Sequence, residues 1–179
     1  MLLRKQRNNM AIDKIQTASM ESGVPSKAQM PSGSVLQVQV VQWSTPSTRT
    51  GTLQNYVDLP DGFKAITTSV ANSKILVQIQ VQIYNDNVAC AANLGLRRDT
   101  TRLAGIDGAT GNGWSGHGNG YAGAQRMCLD YFDSPNAAAG TTLVYAALHG
   151  HWTGAGSSFI NYSSTYTNYS TMILTEIAP

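Results

Sequence analysis

The sequence predicts an all-β protein that folds as an antiparallel, jelly-roll-like β-sandwich. In residues 73–84 (SKILVQIQVQIY), aliphatic and amide side chains alternate strictly, which indicates a strand with one apolar face and excludes a helix. Residues 35–43 (VLQVQVVQW) repeat this alternation. Further short alternating segments follow with turn residues between them, roughly every 8 to 12 residues, and this spacing is typical of a sandwich.

Residues 1–31 are predicted to be an attachment segment and linker that precede a β-domain at 32–179. Residues 10–22 are expected to form a short helix with Ile12, Ile15 and Met20 among its apolar residues, and a weakly helical tail is the alternative. Two prolines and two glycines in residues 22–34 indicate the linker. A helix this short needs a partner, so its apolar side is expected to pack on another protein or on copies of itself.

The β-domain is expected to continue as strands joined by turns and loops. Residues 44–52 read as a loop, 60–62 as a turn and 104–123, which hold eight glycines, as a long loop. The predicted strands cover residues 35–43, 53–59, 63–70, 73–84, 88–97, 124–132, 141–152, 158–169 and 171–177.

Composition narrows the classes of function. The net charge is +2, but residues 1–30 hold five basic and two acidic residues, whereas the remainder holds seven basic and eight acidic ones. A β-domain without a basic surface argues against nucleic-acid binding, and the chain has no apolar run long enough for a membrane helix. No secretory signal is present, so synthesis in a cytoplasm is expected. Cys90 and Cys128 are interpreted as small buried apolar residues, with a disulfide between them as the alternative.

Five stretches of the β-domain resemble a β-rich C-terminal domain of tail fibres and related virion appendages of tailed bacteriophages, particularly phages of marine and cyanobacterial hosts. The matching stretches are residues 33–42, 56–81, 96–101, 130–148 and 170–179. The resemblance implies a homotrimeric virion protein that contacts the host-cell surface. Residues 1–31, with Ile12, Ile15 and Met20, would then attach it to baseplate, tail or capsid proteins. The alternatives are a head fibre or capsid decoration (cement) protein and a glycan-cleaving tail enzyme.

The glycine-rich loop is the candidate site for receptor binding. Trp114, His117 and Tyr121 can stack on sugar rings of a host-surface glycan, and Asn119 can supply hydrogen bonds. The alternative is a loop that is disordered or packed within a trimer. Two G-x-G-x-x-G matches lack the strand and helix of a dinucleotide site, and no pair of carboxylates or serine elbow is evident. No catalytic residue is assigned, and the protein is not expected to be an enzyme.

Two further groups suggest contacts between chains. His149 and His151 lie two residues apart in a predicted strand, so around a threefold axis they would bring six nitrogens together to bind a transition metal. The alternative is a histidine pair that ends a strand beside solvent, and no other cofactor is expected. The amide faces of the two long strands are predicted to form a subunit interface, with side chains that bond without buried charge. The residues of this interface are Gln37, Gln39, Gln78, Gln80 and Gln82.

The densest charge group in the β-domain is the run around Arg98. Alternation would place Arg98 and Arg102 on one strand face, where they could bind an anionic glycan or a carboxylate such as Asp130 or Asp133 of another subunit. The commoner outcome for such a group is a solvated sheet edge.

Overall fold

A computed structural model describes residues 26–50, 56–88, 91–105, 117–118, 123–152, 156–162 and 168–179, with the backbone alone at 117, 118 and 152. This part of the chain is built from β-strands and one short 3₁₀ helix, Lys27–Gln29. The strands are β1 (Val35–Trp43), β2 (Ser47–Thr50), β3 (Val57–Thr67), β4 (Lys74–Asn85), β5 (Ala91–Arg98), β6 (Thr101–Ala104), β7 (His117–Gly118), β8 (Gly123–Asp133), β9 (Thr142–Trp152), β10 (Ser157–Ile160) and β11 (Ser170–Ile177). The all-β prediction is confirmed.

The strands form two antiparallel sheets. In the first, β4 pairs with β8 along one edge and with β11 and β10 along the other, and these two in turn pair with β1 and β2. In the second, the order is β3-β9-β5, and β5 then pairs with both β6 and β7.

Three strands of this fold are each split into two short pieces, and joining them reveals the topology. If β1 and β2, β6 and β7, and β10 and β11 are each taken as one interrupted strand, eight strands remain. Their order is first-eighth-third-sixth in the first sheet and second-seventh-fourth-fifth in the second. Consecutive strands therefore alternate between the sheets, except for the fourth and fifth, which pair as a hairpin in the second sheet, and this order is that of a jelly roll. The sandwich prediction is confirmed at this level.

The aliphatic side of β4 supplies the centre of the core. Its five inward-facing residues are at most 2% exposed and pack against the second sheet: Ile75, Val77, Ile79, Val81 and Ile83. Burying each such side chain contributes roughly 1.5 to 3 kcal/mol relative to exposure. The alternation in residues 73–84 therefore predicted both the strand and its buried face.

Two predicted connections are instead strand. Residues 47–50, predicted as part of a loop, form β2 because β10 pairs with them in register. The predicted turn at Pro60, Asp61 and Gly62 lies inside β3, since residues on both sides of it pair with the same strand, β9. The chain bulges there, with Asp61 at φ 58°, and does not reverse direction.

A ring stacked on glycines packs against the second sheet. Tyr56 lies where β-carbons at Gly95, Gly105 and Gly150 would fall, at distances of 2.7 to 2.9 Å from the nearest ring atoms. The Arg102 guanidinium lies 5.3 Å from the centroid of the Tyr56 ring. The Tyr56 ring fits there because glycine has no side chain at any of the three positions.

Cys128 is a free cysteine and is exposed, which corrects the prediction that it is buried. Alternation along β8 directs Met127 and Leu129 into the core, so Cys128 between them points outward. Cys90 lies outside the described residues.

Candidate functional site

The candidate site is the outer face of the first sheet, which here means its solvent side across β1, β11, β4 and β8. Strand register arranges its side chains in rows that cross the sheet. Row one is Val35, Ile177 and Lys74. Row two is Val38, Thr175, Leu76 and Phe132. Row three is Val40, Ile173, Gln78 and Asp130. The three rows are largely aliphatic, and Lys74 and Asp130 carry their only charges.

The apolar side chains of β1 are on this outer face. Val38 and Val40 are each 51% exposed, whereas Gln37 and Gln39 are only partly exposed and face inward. A register irregularity between Val35 and Gln37 accompanies this orientation. The amides of β1 and β4 therefore lie on opposite faces of the sheet that the two strands share, although the sequence predicted one common amide face.

A buried carboxylate holds β1 in this orientation. Gln37 Nε2 donates to Glu176 Oε2 at 2.6 Å and to the Thr67 carbonyl oxygen at 2.6 Å. The backbone N–H of Ser69 donates to Glu176 Oε1 at 2.6 Å. Burial alone would raise the pKa of Glu176, but the hydrogen bonds from Gln37 and from the Ser69 backbone outweigh burial and lower it. In this conformation Gln37 bonds within its own chain and does not face a neighbouring subunit.

The amides of β4 do face outward, as predicted. Gln78 and Gln80 are exposed and Gln82 is partly exposed. Gln78 and Gln80 line a shallow depression of about 330 Å³ together with Cys128, Asp130 and Thr171. Gln78 Nε2 donates to Asp130 Oδ1 at 3.3 Å. The role of Gln78, Gln80 and Gln82 in a subunit interface stays a prediction.

Three aromatic rings cluster at the far end of the same face. The Tyr84 and Tyr162 rings stack with centroids 5.1 Å apart, and Phe159 lies 4.7 Å from Tyr162 and 5.7 Å from Tyr84. Tyr162 remains 43% exposed. The outer face thus runs from an aliphatic patch through an amide-lined depression to an aromatic cluster.

No protein-family model matches the chain, and no curated protein matches it. Among solved structures, the chain is similar to the "Structure of infectious bursal disease virus Gx strain", with 11% sequence identity and a TM-score of 0.32. The match covers 81% of this chain and 37% of that chain. A likeness of this size shows nothing about the function of this chain.

His149 and His151 point into the sandwich, so the structure corrects their predicted position. Both rings are fully buried between the sheets. His149 Nδ1 lies 2.9 Å from Ser47 Oγ, and Ser158 Oγ lies 3.1 Å from His149 Nε2 and 2.8 Å from His151 Nδ1. A metal shared around a threefold axis would need rings that other chains can reach. Among the described residues, no group of three or more His, Cys, Asp or Glu side chains could hold a metal ion.

Burial favours the neutral form of both histidines. Burial, followed by the positive charge of Arg49 and by electrostatic repulsion from the adjacent His151 ring on protonation, lowers the pKa of His149 to about 3. Burial and Arg49 also lower the pKa of His151, against an opposing effect of Asp86. The cluster links β9 of the second sheet to β2 and β10 of the first. Its chemistry is that of a buried polar network between the two sheets.

The arginine run forms two ion pairs within the chain. Arg98 Nη1 donates to Asp133 Oδ2 at 2.6 Å, and the buried Tyr145 hydroxyl donates to the same oxygen at 2.6 Å. Arg97 bonds Asp58 through two nitrogens, at 2.7 and 2.6 Å, and these hydrogen bonds lower the pKa of Asp58. Asp133 was among the carboxylates predicted to bind Arg98, but the prediction placed it in another subunit.

A tight turn also changes which arginines share a face. β5 reverses into β6 at Asp99, which has φ 49°, so Arg97 pairs with Arg102 across the hairpin. Arg98 pairs with Thr101. The prediction that Arg98 and Arg102 lie together assumed a continuous strand and is wrong.

Most of the residues predicted for attachment and receptor binding are not described by the structure. Ile12, Ile15, Met20, Trp114, Asn119 and Tyr121 lie outside the described residues. The backbone of His117 is in β7, paired with Asn93 of β5. Their roles in attachment and receptor binding stay predictions.

Glu176 was not predicted to have a role, although the sequence pattern around it indicates that it is buried. Alternation in residues 170–177 places it on the same face as Met172 and Leu174, both fully buried. An acid on a core-facing position indicates a buried carboxylate with dedicated donors. No comparable signal marked Ser47 or Ser158.

Proposed function

We propose that this protein is a structural component of a bacteriophage virion, a short tail fibre or fibre-tip domain that contacts the host-cell surface. In this proposal residues 1–31 attach it to the particle, its copies join as homotrimers, and it acts without catalysis. The host partner is a surface glycan. The protein is made in the host cytoplasm and ends in the virion.

The observation that carries the proposal is the outer face of the first sheet. Val38, Val40 and Phe132 are each more than half exposed there, next to exposed Gln78 and Gln80. A contiguous apolar area beside uncharged hydrogen-bonding groups is typical of a surface that contacts other proteins. A protein that assembles into a particle requires such a surface, whereas a freely diffusing domain normally does not expose one.

The resemblance to phage tail fibres is the reason for proposing a phage particle. The stretches that carry the resemblance coincide with strands of the fold. Its five stretches fall on β1, on β3 and β4, on the β5–β6 hairpin, on β8 and β9, and on β11. These are framework strands of both sheets. Receptor choice in such a protein would lie in loops, which vary more than a framework does.

The second candidate is a head-decorating protein, because the same outer face suits a capsid surface. Imaging of intact particles with an antibody against this chain separates the two. Label on the tail is the expected result, and label confined to the capsid would refute the fibre proposal. A truncation that lacks residues 1–31 should fold and fail to join the virion.

Host contact is tested with the purified full-length protein. Preincubating host cells with it should reduce phage adsorption, because the free protein occupies the receptor. Unchanged adsorption at saturating protein would contradict a role in attachment. Shortening of host polysaccharide by the protein, relative to buffer alone, would instead support the glycan-cleaving alternative.

A further inference from the structure

We infer that β8 pairs edge to edge with β8 of a second copy of this chain, so that the first sheets of the two copies join into one continuous sheet. The pairing is antiparallel and twofold, with Cys128 at its centre. This contact differs from the threefold assembly of the proposed function. A trimeric fibre does not require it, so the two proposals can fail separately.

The first argument is that β8 is a long and regular edge strand. In the described part of the chain, β8 pairs only with β4, and all eleven of its residues do so without any irregularity in register. No described strand pairs with its other side, where backbone N–H and C=O groups point away from the sheet. An edge of this kind is a template for a strand from another chain.

The other edge strands among the described residues have features that discourage such pairing. β2, β6 and β7 are at most four residues long. β1 has a register irregularity between Val35 and Gln37, and β3 contains Pro60 and the bulge at Asp61. Short length, bulges and proline are common means of blocking a sheet edge. β8 has none of the three, so it is the edge that is open to a partner.

The second argument is that β8 fits an antiparallel copy of itself over its whole length. The strand runs from Gly123 to Asp133, so its midpoint is Cys128. Two copies that overlap completely therefore place Cys128 opposite Cys128. Each residue before the midpoint then faces the residue that lies equally far after the midpoint in the other copy.

The third argument is that this same register pairs opposite charges. Arg126 lies two residues before the midpoint and Asp130 two residues after it, and both are exposed on the outer face. Arg126 of each copy therefore faces Asp130 of the other, twice over because the contact is twofold. A register centred on Met127 or Leu129 would set both charges against uncharged residues. A register centred on Arg126 or on Asp130 would oppose like charges.

The uncharged side chains also match in this register. Met127 and Leu129, which flank the midpoint on the inner side, face each other across the contact and extend the two cores towards one another. On the outer side Phe132, which is 52% exposed, faces Ala124 of the other copy, so a large ring meets a small side chain. Strand length, charge and side-chain size thus favour the same register.

Disulfide cross-linking at the midpoint tests the register. Directly opposed residues of an antiparallel pair have Cα atoms about 4.5 to 5.5 Å apart, and a disulfide needs about 4.4 to 6.8 Å. The full-length chain with Cys90→Ser keeps Cys128 as its single cysteine. Treated with copper–phenanthroline in air, it should form a linked dimer on a non-reducing gel.

A matched control moves the thiol one strand inward. Gln80 is exposed on the same face and is paired with Cys128. A chain with Cys90→Ser, Cys128→Ser and Gln80→Cys would hold its two thiols three strand spacings apart, or about 14 Å, which is too far for a disulfide. It should give at least about tenfold less dimer. Equal cross-linking of the two chains would overturn the inference, because it would show random collision.

Charge reversal tests the pairing without cysteine chemistry. Sedimentation of the full-length chain should show a species whose mass is an even multiple of the chain mass. Arg126→Asp and Asp130→Arg should each weaken that association by about tenfold or more, because each creates two like-charge contacts. The double variant R126D/D130R should restore wild-type association, since every pair again unites opposite charges.

Restoration in the double variant also controls for folding, because a fold damaged by each single change would not recover when both are present. Within one chain Arg126 and Asp130 lie about 14 Å apart along β8, so rescue has no intramolecular explanation. A double variant that associates no better than the single variants would overturn the inference. A chain that sediments only as monomer or trimer over the whole concentration range would overturn it too.

Discussion

Acidification from about pH 7.5 to about pH 5 should destabilise the fold through His149. In the folded chain, burial, the charge of Arg49 and the adjacent His151 ring lower its pKa to about 3, whereas an unfolded histidine has a pKa of about 6.5. The unfolded chain therefore binds the proton more readily. The free energy of unfolding is therefore unaffected by His149 above the unfolded pKa. It decreases as the pH drops from there towards the folded pKa.

The magnitude follows from the difference between the two pKa values. At pH 5 the solution is about 1.5 pH units below the unfolded pKa, and each unit corresponds to about 1.4 kcal/mol, so His149 alone accounts for about 2 kcal/mol. His151, whose pKa is also lowered, adds a loss of the same sign. Glu176 has a pKa below its ordinary value of 4.5. Its contribution is lost mainly at lower pH, outside this window.

Urea unfolding of the full-length chain at a series of pH values measures the effect. The variant His149→Gln should start about 1 kcal/mol less stable at neutral pH, because one serine hydroxyl loses its bond. Between about pH 7.5 and about pH 5 it should then lose about 2 kcal/mol less than wild type. Equal losses in the two proteins would refute the reasoning. His151→Gln, compared in parallel, separates the second imidazole from the first.

Two further substitutions probe the framework. Gln37→Glu should destabilise folding at pH 7 by about 3 kcal/mol or more, because it sets a second carboxylate against the buried Glu176. Gln80→Glu, on the exposed face of β4, should leave the free energy of urea unfolding within about 0.5 kcal/mol of wild type, and equal effects would contradict the assignment of Gln37 to the interior. Gly150→Ala should lower stability by about 1 to 3 kcal/mol because its methyl group would collide with the Tyr56 ring. In a Tyr56→Ala background the same change should cost much less, and a purely additive double-mutant cycle would exclude this contact.

Much of the fold could be predicted because alternation is local information. The bounds of β1 agree with the predicted 35–43, and β4, β8, β9 and β11 lie within one or two residues of their predicted segments. Two of the errors share one cause. Residues 47–50 and 60–62 contain turn-forming residues, yet they belong to strands because partner strands β10 and β9 pair with them. Pairing with a distant segment overrode local turn preference.

The candidate site was predictable only in part. Alternation correctly gave β4 an outward amide face with Gln78 and Gln80. It also gave His149 and His151 a common face, but that face is buried. Which side of a strand faces the core depends on the elements packed against it, and a period of two residues is the same for either choice.

In β1, the sequence determined the strand and the tertiary structure determined which side of it is buried. Its residues determined a strand with one aliphatic and one amide side, because alternating side chains in an extended backbone permit little else. Glu176, 139 residues further along the chain from Gln37, decided which side is buried. A buried carboxylate needs hydrogen-bond donors, and Gln37 can donate to Glu176 only from the inner side of β1. The sequence alone determined the strand, and the packing of the two sheets decided that its apolar side became the outer face.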